Sequence, residues 1–167
     1  CCSNLKDWRK KRHYTESHSS DKHRGGGVLL DLSHEIDYLL WIFKNPQINF
    51  AYNNKISDLK INSDDFLNIF GKFNKKTLFQ LTLNYFSLIP ERNIIIDGAN
   101  FFISADLIRN KIEMKEGKKN NIIKKFIDNN NMHQLIINKK YNNLCTYNEA
   151  LSVMKLIKKI KNKNISK

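Results

Sequence analysis

GGGVLLDLSHEIDYLLWIF fills residues 25–43, and its periodicity organises everything around it. Leu32, Ile36, Leu39 and Phe43 recur at i, i+4, i+7 and i+11, the spacing of one apolar helix face. The pattern predicts one helix that ends near Asn45 and Pro46, because proline disfavours helical backbone in the residue before it. At 3.6 residues per turn, Asp31, His34, Asp37, Tyr38 and Trp41 fall on the opposite face. A face that mixes carboxylates, an imidazole and two aromatics differs from an ordinary solvated one. Gly25, Gly26 and Gly27 lack side chains just where the helix begins, which leaves room for a substrate at its positive end.

Upstream, residues 6–24 (KDWRKKRHYTESHSSDKHR) keep no period and predict a long, partly irregular loop with one helical turn. Cys1 to Leu5 has the texture of a strand entered partway, and with no initiating methionine the chain reads as a fragment. Downstream the texture changes to short apolar or alternating runs. Strands are expected over 48–57, 66–73, 77–86, 92–98, 100–105, 110–115 and 121–127, joined by turns such as residues 73–76. Helices are expected over 131–140 and 147–162, the second burying Ala150, Val153, Ile157 and Ile160 and exposing Lys155, Lys158, Lys159 and Lys163. This order predicts an α+β fold, an open and mainly antiparallel sheet with helices packed on one face. At 167 residues the expectation is a single domain.

A histidine beside carboxylates is suited to taking a proton from a hydroxyl while a hydride leaves the same carbon. His34, with Asp31 nearby in sequence, is therefore the candidate catalytic group; the plainer alternative is a hydrogen-bonded histidine packed beneath another domain. Neither a Gly-Lys-Ser/Thr phosphate loop nor a G-x-G-x-x-G turn occurs in the chain. Ser33 and His34 are adjacent and diverge, so they make no triad. His13, His18 and His23 recur every five residues, which aligns no helix face, and no metal is expected. Three cysteines without paired spacing fit a reducing, cytoplasmic setting. The net charge of +13 raises nucleic-acid binding, but the lysines are scattered among asparagines and isoleucines, and no recognition motif accompanies them. No apolar run is long enough to span a membrane.

The run of residues 25–43 resembles the motif that opens the C-terminal domain of the Gfo/Idh/MocA oxidoreductases: GGG-x-L-x-D, then His-x-x-Asp and a tryptophan a turn later. Upstream, Asp7, Trp8, Arg9 and Tyr14 resemble a D-W-R…Y stretch of a subgroup linked to surface-sugar biosynthesis. Downstream, residues 92–98 are similar to the R-x-I-x-I-x-G strand, and the run from Tyr147 to Ser166 to the terminal helix. Many members place the first Asp and the His four apart; here Asp31 and His34 are three apart.

The resemblance implies a fold like the C-terminal domain of glyceraldehyde-3-phosphate dehydrogenase. It implies His34 and Asp31 as catalytic residues, and Trp8, Arg9, Tyr14, Gly26, Gly27 and Asp37 as substrate contacts, with a structural role open for Asp37. It further implies a sugar-type substrate, NAD or NADP held by an N-terminal Rossmann domain outside this chain, and subunits paired through the sheet. The isolated chain is accordingly expected to bind no cofactor and to be inactive. The competing expectation is a non-catalytic orphan that keeps only a binding or pairing role.

Overall fold

The computed structural model describes residues 1–44, 46–117, 119–124, 136–139 and 144–164, and the chain divides into two compact units. The first comprises Cys1–Pro90 and Thr146–Lys167, the second Glu91–Cys145.

The first unit is built on a five-stranded sheet. Its strands are β1 (Cys2–Asn4), β2 (Gln47–Asn54), β3 (Phe66–Lys72), β4 (Leu78–Asn84) and β5 (Phe86–Glu91), in the order β2-β3-β4-β1-β5. β3 pairs antiparallel with β2 and with β4, and β1 pairs parallel with β4. Strand alternation decides which residues enter the core: on β3, Leu67 and Ile69 are buried, whereas Phe66, Asn68 and Phe70 point to the other face and are more exposed. β3 turns into β4 through residues 73–77, where Phe73 N–H donates to Thr77 C=O (2.9 Å).

Three helices accompany this sheet: α1 (Val28–Asp31), α2 (Ser33–Phe43) and α3 (Tyr147–Lys163). Val28, Leu29 and Ile36 from the first two, Leu32 between them, and Val153, Leu156, Ile157 and Ile160 from the third join Leu67, Ile69 and Leu83 of the sheet in one core. α3 begins with a reciprocal cap: Thr146 Oγ1 accepts from Glu149 N–H (3.3 Å) and Glu149 Oε2 accepts from Thr146 N–H (2.7 Å). Its far end is tied to the end of β2, since Asn164 accepts from Asn53 N–H (2.9 Å) and donates to Asn53 C=O (2.8 Å).

The second unit is a four-stranded antiparallel meander, β6 (Asn93–Asp97), β7 (Phe101–Asp106), β8 (Lys111–Glu116) and β9 (Lys119–Lys124). The β7–β8 turn is shaped by Asp106 Oδ1, which accepts from Ile108 N–H (3.0 Å) and Arg109 N–H (2.9 Å).

The α+β class and the mainly antiparallel pairing agree with the sequence reading, but the strands fall into two sheets of five and four. The run read as one strand over 77–86 is divided at Tyr85, which lies between β4 and β5. The helix read as continuous is interrupted at Leu32 (φ −98°, ψ 25°), where Glu35 N–H donates to Leu32 C=O (2.9 Å), only three residues back. In α3, Leu156 takes the place in the core that was expected of Ala150, which is exposed. The helix expected over 131–140 lies mostly outside the described residues.

Candidate functional site

The glycine run starts from a loop held by its own serines. Three 3-10 turns, Tyr14–Glu16, His18–Ser20 and Lys22–Arg24, follow one another. Ser20 Oγ donates to Thr15 C=O (2.7 Å), and Ser63 Oγ donates to Ser19 C=O (2.7 Å), so buried hydroxyls satisfy backbone carbonyls that no helix or strand would. Asp21 Oδ1 accepts from His23 N–H (3.0 Å) and Asn62 Nδ2 (3.1 Å), which holds its carboxyl below the usual range.

Gly26 and Gly27 are needed for this packing. A Cβ on Gly26 would lie 2.2 Å from His18 C=O, and one on Gly27 would lie 2.3 Å from Asp64 Oδ1. Gly27 also has φ +113°, a conformation side chains disfavour. Asp64 stands over the start of α1, its Oδ2 accepting Leu29 N–H (3.1 Å) and its carbonyl accepting Val28 N–H (2.9 Å). Burial pushes the Asp64 carboxyl above its ordinary value, opposed by the Leu29 N–H bond. The space that the sequence reading assigns to substrate at this helix end is therefore filled by the chain's own carboxylate.

Asp31 leads away from that point. Its Oδ2 accepts from the Tyr85 hydroxyl (2.7 Å), and its Oδ1 lies 3.6 Å from His18 Nε2. Tyr85 is fully buried, and burial together with the Asp31 carboxylate pushes its phenol far above the ordinary range. Trp8 meets the Tyr85 ring edge-on at 5.2 Å and donates its indole N–H to Ser3 Oγ (2.8 Å). Trp8, Tyr85, Asp31 and His18 thus form one connected set, with the half-exposed His18 at its wet end.

His34 belongs to a second pair. Its Nε2 lies 3.1 Å from Glu35 Oε1; the imidazole is half exposed, while Glu35 has no accessible surface. Asp37 and Tyr38 are half-buried, and Trp41 is 75 % exposed. Arg9 and Tyr14 occupy a separate groove of about 690 Å³ with Lys6, Lys10, Lys11, Arg12, His13 and Lys60. The loop is tied to the wall of that groove by Lys60 N–H, which donates to the Tyr14 hydroxyl (3.3 Å).

Of the sequence candidates, Trp8 and Asp31 are joined through Tyr85, Arg9 and Tyr14 share the groove, and His34 pairs with a residue not singled out. Sequence reasoning missed His18, Tyr85, Glu35 and Asp64. Glu35 alone carried a local signal: three residues after Leu32, it falls beside the apolar face. Tyr85 and Asp31 are 54 residues apart, a contact no local pattern encodes.

These residues do not fit a dinucleotide cofactor. A pyrophosphate needs free N–H groups at a glycine-rich helix start after a parallel strand, whereas here α1 is one turn long and its start faces the Asp64 carboxylate. Among the described residues no three His, Cys, Asp or Glu side chains are arranged to hold a metal ion, and no helix is long and apolar enough to cross a membrane.

Residues 2–102 match the GFO/IDH/MocA C-terminal domain family. No curated protein sequence matches the chain. Among solved structures it is similar to a UDP-N-acetylglucosamine 3-dehydrogenase from Acidithiobacillus ferrooxidans, at 12 % identity and TM-score 0.69, over 98 % of this chain and 51 % of that one. It is also similar to a 3-ketoreductase from Actinomadura kijaniata solved with NADP and TDP-benzene, at 11 % identity and TM-score 0.64, over 84 % and 46 %. A third likeness is to an oxidoreductase from Agrobacterium radiobacter in complex with NAD+, L-tartaric acid and magnesium, at 18 % identity and TM-score 0.54, over 65 % and 32 %. The chain spans about half the length, or less, of these proteins.

Proposed function

The chain belongs to the GFO/IDH/MocA C-terminal domain family, and from that premise we propose that it forms the substrate-binding side of a nicotinamide-dependent oxidoreductase that interconverts a secondary alcohol and a ketone on a sugar or nucleotide sugar. The observation that carries the reading is the pairing of His34 with the fully buried Glu35 on the helix that follows the glycines. The half-exposed imidazole is open to a substrate hydroxyl, and the Glu35 carboxylate 3.1 Å from Nε2 stabilises the imidazolium that forms when His34 takes that hydroxyl's proton. In this reading Asp31, anchored by Tyr85, with Trp8 and Asp37, holds the sugar ring, Gly26 and Gly27 shape the backbone beneath it, and Arg9 and Tyr14 contact the substrate away from that ring, in their separate groove. NAD or NADP belongs to a separate dinucleotide-binding domain, so the chain alone is expected to turn over nothing.

The test is His34→Ala in the oxidoreductase that carries this domain. Turnover is expected to fall about 100-fold or more, with cofactor affinity unchanged. Wild-type turnover in that variant would overturn the assignment.

A second reading, a non-catalytic pairing module, is favoured by Ile95, Phe101 and Met114, apolar side chains of the second unit's meander that are exposed. It expects a stable dimer of the chain in light scattering that breaks on Ile95→Lys, with no loss of any turnover when His34 is replaced.

A further inference from the structure

The groove that holds Arg9 and Tyr14 is chemically unlike a site for a neutral sugar. Lys6, Arg9, Lys10, Lys11, Arg12 and Lys60 bring six cationic side chains to one hollow. No carboxylate lines it among the described residues; the carboxylate nearest Arg12 is that of Glu16, at 3.7 Å and outside the lining. Of the six, Arg12 is paired with Glu16; like charges gathered in one hollow repel one another, and an anion that enters it relieves that repulsion. The lysines along the back of α3, by contrast, are exposed on a helix face. Those of the groove surround a concavity of about 690 Å³, inside the range of roughly 300–1,000 Å³ in which small-molecule ligands are held.

The groove is open, its lining exposed except for the half-buried Tyr14, and two features give it order. Its walls are fixed: Lys60 N–H donates to Tyr14 OH, and Trp8, one residue before Arg9, is clamped by Ser3 and Tyr85. It also offers aromatic surface among the cations, since the His13 and Tyr14 rings lie 4.7 Å apart and Lys6 Nζ sits 6.0 Å from the Tyr14 ring centre. Arginine and lysine around a planar ring suit a ligand that carries adjacent phosphates and a flat base. The same Trp8 touches Tyr85, which bonds Asp31, so the groove and the candidate substrate site share a rigid connection.

We propose that the cationic groove formed by Lys6, Arg9, Lys10, Lys11, Arg12 and Lys60 around Tyr14 binds the diphosphate of a nucleoside diphosphate. On the reading above, that group is the carrier end of a nucleotide-sugar substrate. Arg9 and Tyr14 then contact the nucleotide end, and the sugar ring is left to Asp31 and the helix that bears His34.

Calorimetric titration of the chain with UDP at low ionic strength tests this directly, without turnover. UDP is expected to bind, inorganic pyrophosphate to compete with it, and added salt to weaken both. The double variant Arg9→Ala/Lys60→Ala is expected to bind UDP about tenfold or more weakly. Lys155→Ala/Lys159→Ala, which removes the same charge from the exposed face of α3, is expected to leave binding unchanged. Absence of UDP binding, or equal weakening by the two double variants, would overturn the groove. NADP binding tighter than UDP would move the pyrophosphate to the cofactor and overturn the substrate assignment. A labelled DNA duplex binding tighter than either would replace the proposal with nucleic-acid binding. His34→Ala is expected to leave UDP affinity intact, so loss of turnover in that variant without any UDP binding would keep the oxidoreductase reading and remove only the groove.

Discussion

At the scale of single residues, two glycines separate backbone conformation from crowding. Gly25 and Gly27 both have positive φ, +80° and +113°, but a Cβ on Gly25 meets nothing within 4 Å and one on Gly27 meets the Asp64 carboxylate at 2.3 Å. Gly25→Ala is expected to cost about 1 kcal/mol, the left-handed penalty alone. Gly27→Ala should cost clearly more than that, because Asp64 must give up its bond to Leu29 N–H to make room. Urea denaturation of both variants checks the difference, and equal costs would mean that Asp64 moves freely. Asp64 itself sets a pH dependence. Burial raises its folded pKa above the unfolded value near 3.8, so the folded state holds the proton more tightly. Its contribution to stability is therefore full below that value and is lost as pH rises through the raised folded pKa. Relative to Asp64→Asn, the wild-type chain should lose stability across that window; a stability difference independent of pH would show that the carboxyl is not perturbed. None of this was legible in the sequence, where the triple glycine reads as an opening for a ligand. What fills the opening is Asp64, from the segment between β2 and β3, and only the tertiary fold brings it there.

At the scale of elements, periodicity was informative wherever one face is buried and the other wet. The strands expected over 66–73, 92–98 and 100–105 correspond to β3, β6 and β7 to within a residue or two at their ends, since alternation marks the face of a sheet. The break at Leu32 was invisible because Val28, four residues before it, continues the period of Leu32, Ile36, Leu39 and Phe43 across it. The signal for α3 was stronger, as it has both a buried stripe and a start signal, Thr146 three residues before Glu149. That cap is open to a direct measurement. Thr146→Ala removes the acceptor of Glu149 N–H and is expected to cost about 1 kcal/mol at neutral pH. The backbone and side chain of Thr146 hold the Glu149 carboxyl below its usual value of 4.5. A lowered carboxyl contributes stability above its unfolded pKa and loses it as pH falls through the folded one. The cost of Thr146→Ala should thus shrink in acid; a cost that stays constant down to acid pH would show that the reciprocal bond from Glu149 adds nothing.

At the scale of the whole molecule, the sequence was legible as a class and not as an assembly. Alternating runs and turn residues announce antiparallel strands, but the choice of partner is a long-range matter. Tyr85 illustrates it: within a run that reads as one strand it lies between two, β4 and β5, and turns its hydroxyl to Asp31. The same is true of how the first unit closes, with Cys1–Pro90 completed by Thr146–Lys167 from the other end of the chain. Val153, Leu156, Ile157 and Ile160 are buried in the same core as Ile36, Leu67 and Leu83, so α3 forms one wall of the core and is no appendage. Each large buried aliphatic removed from such a core costs about 2–5 kcal/mol, while a domain's entire stability is about 5–15 kcal/mol. Loss of all four exceeds what the unit has in reserve. A chain ending at Cys145 is therefore expected to lose the cooperative unfolding transition of the first unit in circular dichroism, even though every strand of its sheet is still present. The milder Ile160→Ala should keep the transition at lower urea. A truncated chain that still melted cooperatively with the wild-type midpoint would show that α3 rests on the sheet without helping to hold it.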